Sequence, residues 1–264
     1  MQTSTTNQPF GIVIHADHPE QSVADLSPDH LTEQLLANQL LVLRGFRKLD
    51  EPDYIGFCEK FGPLFEWEFG VLLNVRMEQN PANHIFSGGR VELHWDGAFA
   101  AKTPKFNIFQ CLRSSEAGHG GETTFANTAK LLAEASDEDK QRWAAIELEY
   151  STEKKAHYGG AIHARLVDRH PLTGVPVMRF IEPYNEDNME VNPVKIAVHG
   201  LGEHFDSETA FIDDLLERLY DDKYLYRHQW QTGDFLMVDN HSLLHGRERI
   251  RGNVSRHLQR VHVL

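Results

Sequence analysis

Residues 94–99 read HWDGAF, and the strand they suggest sets the terms for the rest of the chain. In a β-strand alternate side chains share a face, so His94 and Asp96 project together while Trp95 points the other way. An imidazole beside a carboxylate serves as a hydrogen-bonded core pair, as an acid/base site, or as two ligands of a metal. With 16 histidines and 39 acidic residues, some His-x-Asp pairs arise by chance. The pair alone does not decide among the three.

Outward from it, the pattern is one of short strands. VLLNVRM (71–77), FNIFQCL (106–112), AIELEYS (145–151), ARLVDRH (164–170), VPVMRFI (175–181), DFLMVDN (234–240) and RHLQRVHVL (256–264) are apolar or alternating and bounded by Gly, Pro, Asn or Asp. HPLTGVP reads as a tight turn, with Gly174 free to take positive φ. PDHLTEQLLANQ from Pro28 and EPDYIGFCEKFG ending at Gly62 read as helices, the first followed by a β-rich run, LLVLRGF. Helical patterns at 127–145 and 207–220 fall between strands without a regular βαβ alternation. The expected fold is therefore mostly β with peripheral helices, a sandwich or barrel, in one domain over residues 1–264, since no linker, repeat or low-complexity segment divides the chain.

Twenty-six basic against 39 acidic residues leave a formal charge of -13, which repels phosphate backbones and anionic membrane surfaces. Nucleic acid is not an expected partner. No apolar run approaches the roughly 20 residues of a membrane span, and MQTSTTNQP lacks the order of a signal peptide. A soluble, cytoplasmic protein is expected, and a homo-oligomer is compatible with the sequence. Cys58 and Cys111 sit in apolar contexts that suit buried thiols.

The far end of the chain weights the pair toward a metal. WQTGDFLMVDNHSLLHGRERIRG (230–252) carries a Gly-Asp turn, a buried strand, an Asp-Asn break and then His245. Two histidines and one carboxylate on one face leave adjacent positions open on iron(II) for a co-substrate and O₂. A barrel can bring His94 and Asp96 on one strand to His245 on a distant one, because opposed strands meet across its interior.

The chain resembles the TauD/TfdA family of iron(II)- and 2-oxoglutarate-dependent dioxygenases. The resemblance rests on HWD at 94–96, GGETTFAN at 120–127, RHPLTGVPVMRF at 169–180, GDFLMVDNHSLLHGRE at 233–248 and RHLQR at 256–260, in that order. It implies a double-stranded β-helix (jelly roll, cupin-like) with His94, Asp96 and His245 as catalytic iron ligands. It also implies that Arg256 pairs with the distal carboxylate of 2-oxoglutarate and that Thr123 supports the same group. An arginine fork suits a carboxylate because it makes two parallel charge-assisted bonds. Arg260, an even number of residues beyond Arg256, should share its face and is assigned to a substrate carboxylate.

Within that family, HWDGAF, FQC, GGETTFANT, AHYGG and HLQRVHV look most like the PvcB-type oxygenases of secondary metabolite biosynthesis. These desaturate the Cα–Cβ bond of aromatic amino-acid isonitriles such as tyrosine isonitrile, in some cases with loss of the carboxylate. The implied partner is a small anionic aromatic substrate. Lys154 or Lys155 is an alternative to Arg260 for its carboxylate, and Phe65, Trp67, Phe99, His157 and Tyr158 are candidate ring contacts. Gly97, Ala98 and Phe99 are the expected place for substrate choice. The resemblance leaves desaturation and hydroxylation of another small carboxylate or amino acid with the same ligands.

Two further classes compete. A zinc hydrolase uses similar ligands, but gives no reason for Arg256. A non-catalytic metal- or anion-binding β-barrel would keep the fold without turnover. Asp239 and Asn240 read as turn formers, and His119, His157, His163, His170 and His199 as solvated or turn histidines, with His157 the least easily dismissed. The glycine-rich AGHGGETTF lacks the Gly-Lys-Ser/Thr ending of a phosphate loop.

Overall fold

The computed structural model describes residues 4–77, 81, 84–116, 118–155, 158–184, 194–203, 205–252 and 254–264. In chain order the strands are β1 (Ser4–Thr6), β2 (Ile12–His15), β3 (Leu40–Arg44), β4 (Leu72–Arg76), β5 (Val91–His94), β6 (Phe106–Arg113), β7 (Thr123–Asn127), β8 (Glu147–Lys155), β9 (Tyr158–Arg165), β10 (Val167–Arg169), β11 (Pro176–Met178), β12 (Lys195–His199), β13 (Leu225–His228), β14 (Phe235–Asp239), β15 (Leu243–Arg247) and β16 (His257–Val263). The α-helices are α1 (Pro28–Asn38), α2 (Glu51–Glu59), α3 (Thr128–Glu134), α4 (Asp137–Ala144) and α5 (Glu208–Leu219).

A seven-stranded sheet, β1-β2-β3-β14-β6-β16-β4, faces a four-stranded one, β13-β7-β15-β5. Alternation along the strands builds the layers between and outside them. Leu40 and Val42 of β3, Phe109 and Cys111 of β6, Leu236 and Val238 of β14 and Leu258 of β16 turn inward, where they meet Phe125 and Leu243 of the smaller sheet. The intervening residues of the same strands, Leu41, Leu43, Ile108, Phe235 and Met237, turn outward under α1 and α2. On the far side Leu93, Ala126 and Leu244 of the smaller sheet pack beneath α3, α4, α5 and the β12-β8-β9 sheet. Such two-sheet packing with helices outside is the expected jelly roll.

The helices begin where their capping residues place them. Ser27 accepts from the His30 amide with Pro28 in the first turn of α1, an arrangement that satisfies an otherwise orphaned donor. The helical pattern at 127–145 divides, because Ser136 caps a new helix by accepting from the Asp139 amide. The turn through Gly174 joins β10 to β11 as expected. Cys58 and Cys111 are free and buried. No described helix is long and apolar enough to cross a bilayer.

One irregularity positions the site. In the β15–β5 pair His245 faces His94 and Arg247 faces Val91, so two steps on β15 span three on β5. This bulge turns both Val91 and His94 to the pocket despite their odd separation.

Candidate active site

His94 ends β5, Asp96 enters the following turn, and His245 sits at the middle of β15. One ligand atom from each lies within 4.8 Å of the others. The three meet by a different route from the one expected: β5 and β15 are neighbours in one sheet rather than strands opposed across the interior. The strand expected through 94–99 also stops at His94. Gly97 has φ +80°, and a Cβ there would come within 2.5 Å of Pro104 Cδ, so the backbone demands glycine at this turn. Trp95 does point the other way, into the outer apolar cluster, and Ala98 and Phe99 pack against that cluster. Phe99 is not among the residues lining the pocket beside His94 and His245.

The two imidazoles are prepared differently. His94 Nδ1 lies 2.8 Å from the Glu92 carbonyl oxygen. A carbonyl only accepts, so Nδ1 carries the proton and Nε2 presents its lone pair to the site. His245 is buried, and among the described residues its ring nitrogens have no hydrogen-bond partner; its Nε2 is 3.2 Å from Asp96 Oδ2. Burial, reinforced by His94 and Arg260, outweighs the attraction of Asp96 and pushes its pKa down to about 4. Asp96 goes the opposite way. Burial disfavours its charge, yet the Arg260 guanidinium, foremost among its neighbours, holds its pKa well below the usual carboxylate range. Two imidazoles and one carboxylate around a common point, with the buried His245 nitrogens lacking partners among the described residues, suit a divalent metal.

The anion side of the pocket is formed across the two sheets. Thr123 opens β7, and Arg256 immediately precedes β16. Thr123 Oγ1 accepts from Trp230 Nε1 at 2.9 Å and from Arg256 Nη2 at 3.3 Å. Its own hydroxyl proton is therefore left to donate. Arg256 is buried and, among the described residues, its Nε has no hydrogen-bond partner. Burial, then repulsion from Arg247, pushes its pKa down to about 9, and among the described residues no carboxylate forms an ion pair with it. A buried cation without a counter-charge is costly; a ligand carboxylate would relieve that cost. Arg260 lines the same pocket, as alternation from Arg256 requires, and its Nη1 lies 3.0 Å from Asp96 Oδ2.

Several neighbours have no local signal in the sequence. Asn240 Oδ1 accepts from the Asp96 amide at 2.9 Å, while its Nδ2 donates to the Asp96 carbonyl at 3.0 Å and to that of Pro104 at 2.8 Å. It is a clamp on the turn carrying Asp96 as well as a turn former. Asn107 Nδ2 and His262 Nε2 each lie 2.9 Å from Asp96 Oδ2. Arg247 binds the Ile85, Ser87 and Gly89 carbonyls at 2.6–2.7 Å and so ties that segment to the pocket. His170 is a turn histidine but a buried one, bonded to Asp239 at 3.0 Å, which corrects the solvated reading. His157 lies outside the described residues, as do the side chains of Lys154, Lys155 and Tyr158.

The chain belongs to the TauD/TfdA family. The family model of the taurine catabolism dioxygenase TauD, TfdA family, matches residues 5–262. This chain is 42% identical over 256 residues, 97% of its own length and 93% of the relative, to a 3-((Z)-2-isocyanoethenyl)-1H-indole synthase of Fischerella ambigua (strain UTEX 1903). A tyrosine isonitrile desaturase of Erwinia amylovora (strain CFBP1430) is 36% identical, with 99% of this chain and 90% of that one aligned. Among solved structures, PvcB, an Fe, alpha-ketoglutarate dependent oxygenase from an isonitrile synthetic pathway, superimposes with a TM-score of 0.79 at 29% identity over 100% of this chain and 91% of its own.

Proposed function

We propose that this chain is an iron(II)- and 2-oxoglutarate-dependent oxygenase that desaturates an aromatic amino-acid isonitrile, the reaction being carried by one domain. The observation that carries the co-substrate assignment is Arg256: a buried guanidinium against the Thr123 hydroxyl, within one pocket with His94 and His245. A zinc hydrolase has no use for it. His94, Asp96 and His245 would hold the metal, and Arg256 and Thr123 the distal carboxylate of 2-oxoglutarate. When bound, iron(II) supplies O₂ activation coupled to oxidative decarboxylation of 2-oxoglutarate, and thereby an oxidant for a substrate C–H bond. The protein's own part is to orient that carbon, fix the His94 ring through the Glu92 carbonyl, and hold two anions against Arg256 and Arg260.

The overall step balances as follows. The substrate loses two hydrogens; 2-oxoglutarate and O₂ become succinate, carbon dioxide and water. The greater identity to the indole relative favours a tryptophan-derived isonitrile over a tyrosine-derived one. That relative's name describes a product without a carboxylate, which adds loss of the substrate carboxyl group as a second outcome at the same site.

The deciding experiment supplies iron(II), 2-oxoglutarate and O₂ with each isonitrile in turn, following oxygen uptake, succinate and product mass. Loss of two hydrogens, alone or with carbon dioxide, supports the proposal; gain of one oxygen identifies a hydroxylase. Absence of coupled turnover with both substrates overturns it. His245→Ala should abolish turnover in every case.

A further inference from the structure

The Asp96 carboxylate is gripped asymmetrically. Oδ2 lies 2.9 Å from Asn107 Nδ2, 2.9 Å from His262 Nε2, 3.0 Å from Arg260 Nη1 and 3.2 Å from His245 Nε2, whereas Oδ1 lies 3.7 Å from His94 Nε2. His262 is nearly fully buried and lies in the inward row of β16, two residues beyond Arg260. Its other ring nitrogen, Nδ1, is 2.9 Å from Trp67 Nε1.

The direction of each bond is fixed by chemistry. An indole N–H can only donate, so His262 Nδ1 must accept and cannot carry a proton. A neutral imidazole then carries its proton on Nε2, which faces Asp96. A flipped tautomer would set an Nδ1–H against the indole N–H and a lone pair against the carboxylate, two unfavourable contacts in a buried place. Trp67 is itself held in an aromatic row, its ring stacked near parallel on Phe69 and 4.4 Å from Phe65 between centroids.

We propose that His262 is a positioning residue: locked by Trp67 in the tautomer that donates from Nε2, it holds Asp96 Oδ2 and leaves Oδ1 to bind the metal. The inference rests on the metal assignment of the proposed function. It adds a chain of two bonds from an aromatic row to the one charged ligand, a type of outer support that commonly affects metal affinity about 10- to 100-fold.

The test measures Mn(II) binding to the full-length protein without 2-oxoglutarate or substrate, by the spectroscopic signal of free Mn(II), alongside the ratio of succinate to oxidised product. His262→Leu should weaken Mn(II) binding by about tenfold or more and raise that ratio, as succinate forms without product. His262→Gln, whose amide can still donate to Oδ2, should recover most of the loss. Trp67→Phe should weaken binding in the wild-type background but scarcely at all in His262→Leu, because its effect passes through the imidazole. Wild-type binding by His262→Leu overturns the proposal. So does a Gln variant as weak as the Leu variant, or a Trp67→Phe effect of equal size in both backgrounds. A wild-type protein that binds no Mn(II) would instead overturn the metal assignment itself.

Discussion

Arg260 Nη1 lies 3.0 Å from Asp96 Oδ2, so the arginine assigned to a substrate carboxylate already holds the acidic member of the His-Asp-His group. A substrate anion would have to share this guanidinium. Replacing Arg260 by Gln should raise the KM for the isonitrile by about 10- to 100-fold, the worth of a bond to a charged group. The KM for 2-oxoglutarate, assigned to Arg256, should move far less. Steady-state kinetics with each component varied separates the two, and an unchanged isonitrile KM would remove Arg260 from substrate binding.

Among the described residues no carboxylate forms an ion pair with the buried Arg256, so its removal should have opposite effects on the free and the ligand-bound protein. Arg256→Met should leave the Tm of the metal-free protein unchanged or higher, since it deletes a poorly compensated cation. Added Mn(II) and 2-oxoglutarate should raise the Tm of wild type by mass action and raise that of the variant much less. Equal shifts for both proteins would place the 2-oxoglutarate carboxylate elsewhere.

At Gly246, between His245 and Arg247, a Cβ would come within 2.4 Å of the Val91 carbonyl oxygen and 3.0 Å of Thr124 Oγ1. Backbone on a central strand has little room to yield. Gly246→Ala should force β15 from β5, separating His94 from His245, at a stability cost of about 1–3 kcal/mol. A lowered Tm together with weakened Mn(II) binding is expected; wild-type values for both would show that the strands can part without harm.

Acid should destabilise the metal-free protein earlier than its carboxylates alone require. His241 Nδ1 accepts from Arg179 Nη2 at 2.6 Å, and burial followed by that guanidinium pushes its pKa down to about 4. In the unfolded chain the same imidazole titrates near 6.5. Between those values the unfolded state holds a proton that the folded state lacks, so stability falls as pH drops from about 6.5 toward 4. Burial lowers the pKa of His228 as well, in the same direction. Denaturant unfolding at pH 7.5, 6 and 5 should show the decline, and His241→Asn should flatten it.

Much of the architecture was legible because it follows from local pattern. The runs at 106–112, 234–240 and 256–264 became β6, β14 and β16, and alternation from Arg256 placed Arg260 in the pocket. The same count carried two residues further reaches His262. Its partners, Asp96 and Trp67, are 166 and 195 positions away, and only the pairing of sheets brings them together. Asn107 and Asn240 were opaque for the same reason. The demand for glycine at position 97 is set by Pro104 across a turn, a contact with no trace in the periodicity.

Arg247, Arg256 and Arg260 line one pocket with His94 and His245. A divalent cation entering there would meet three guanidinium groups, and a dianion settling beside them would offset that repulsion. Metal and 2-oxoglutarate would accordingly assist one another, and linkage makes the assistance mutual: the factor by which either tightens the other is the same in both directions. The affinity of each is then defined only at a stated concentration of its companion, and a protein stripped of one would release the other more readily.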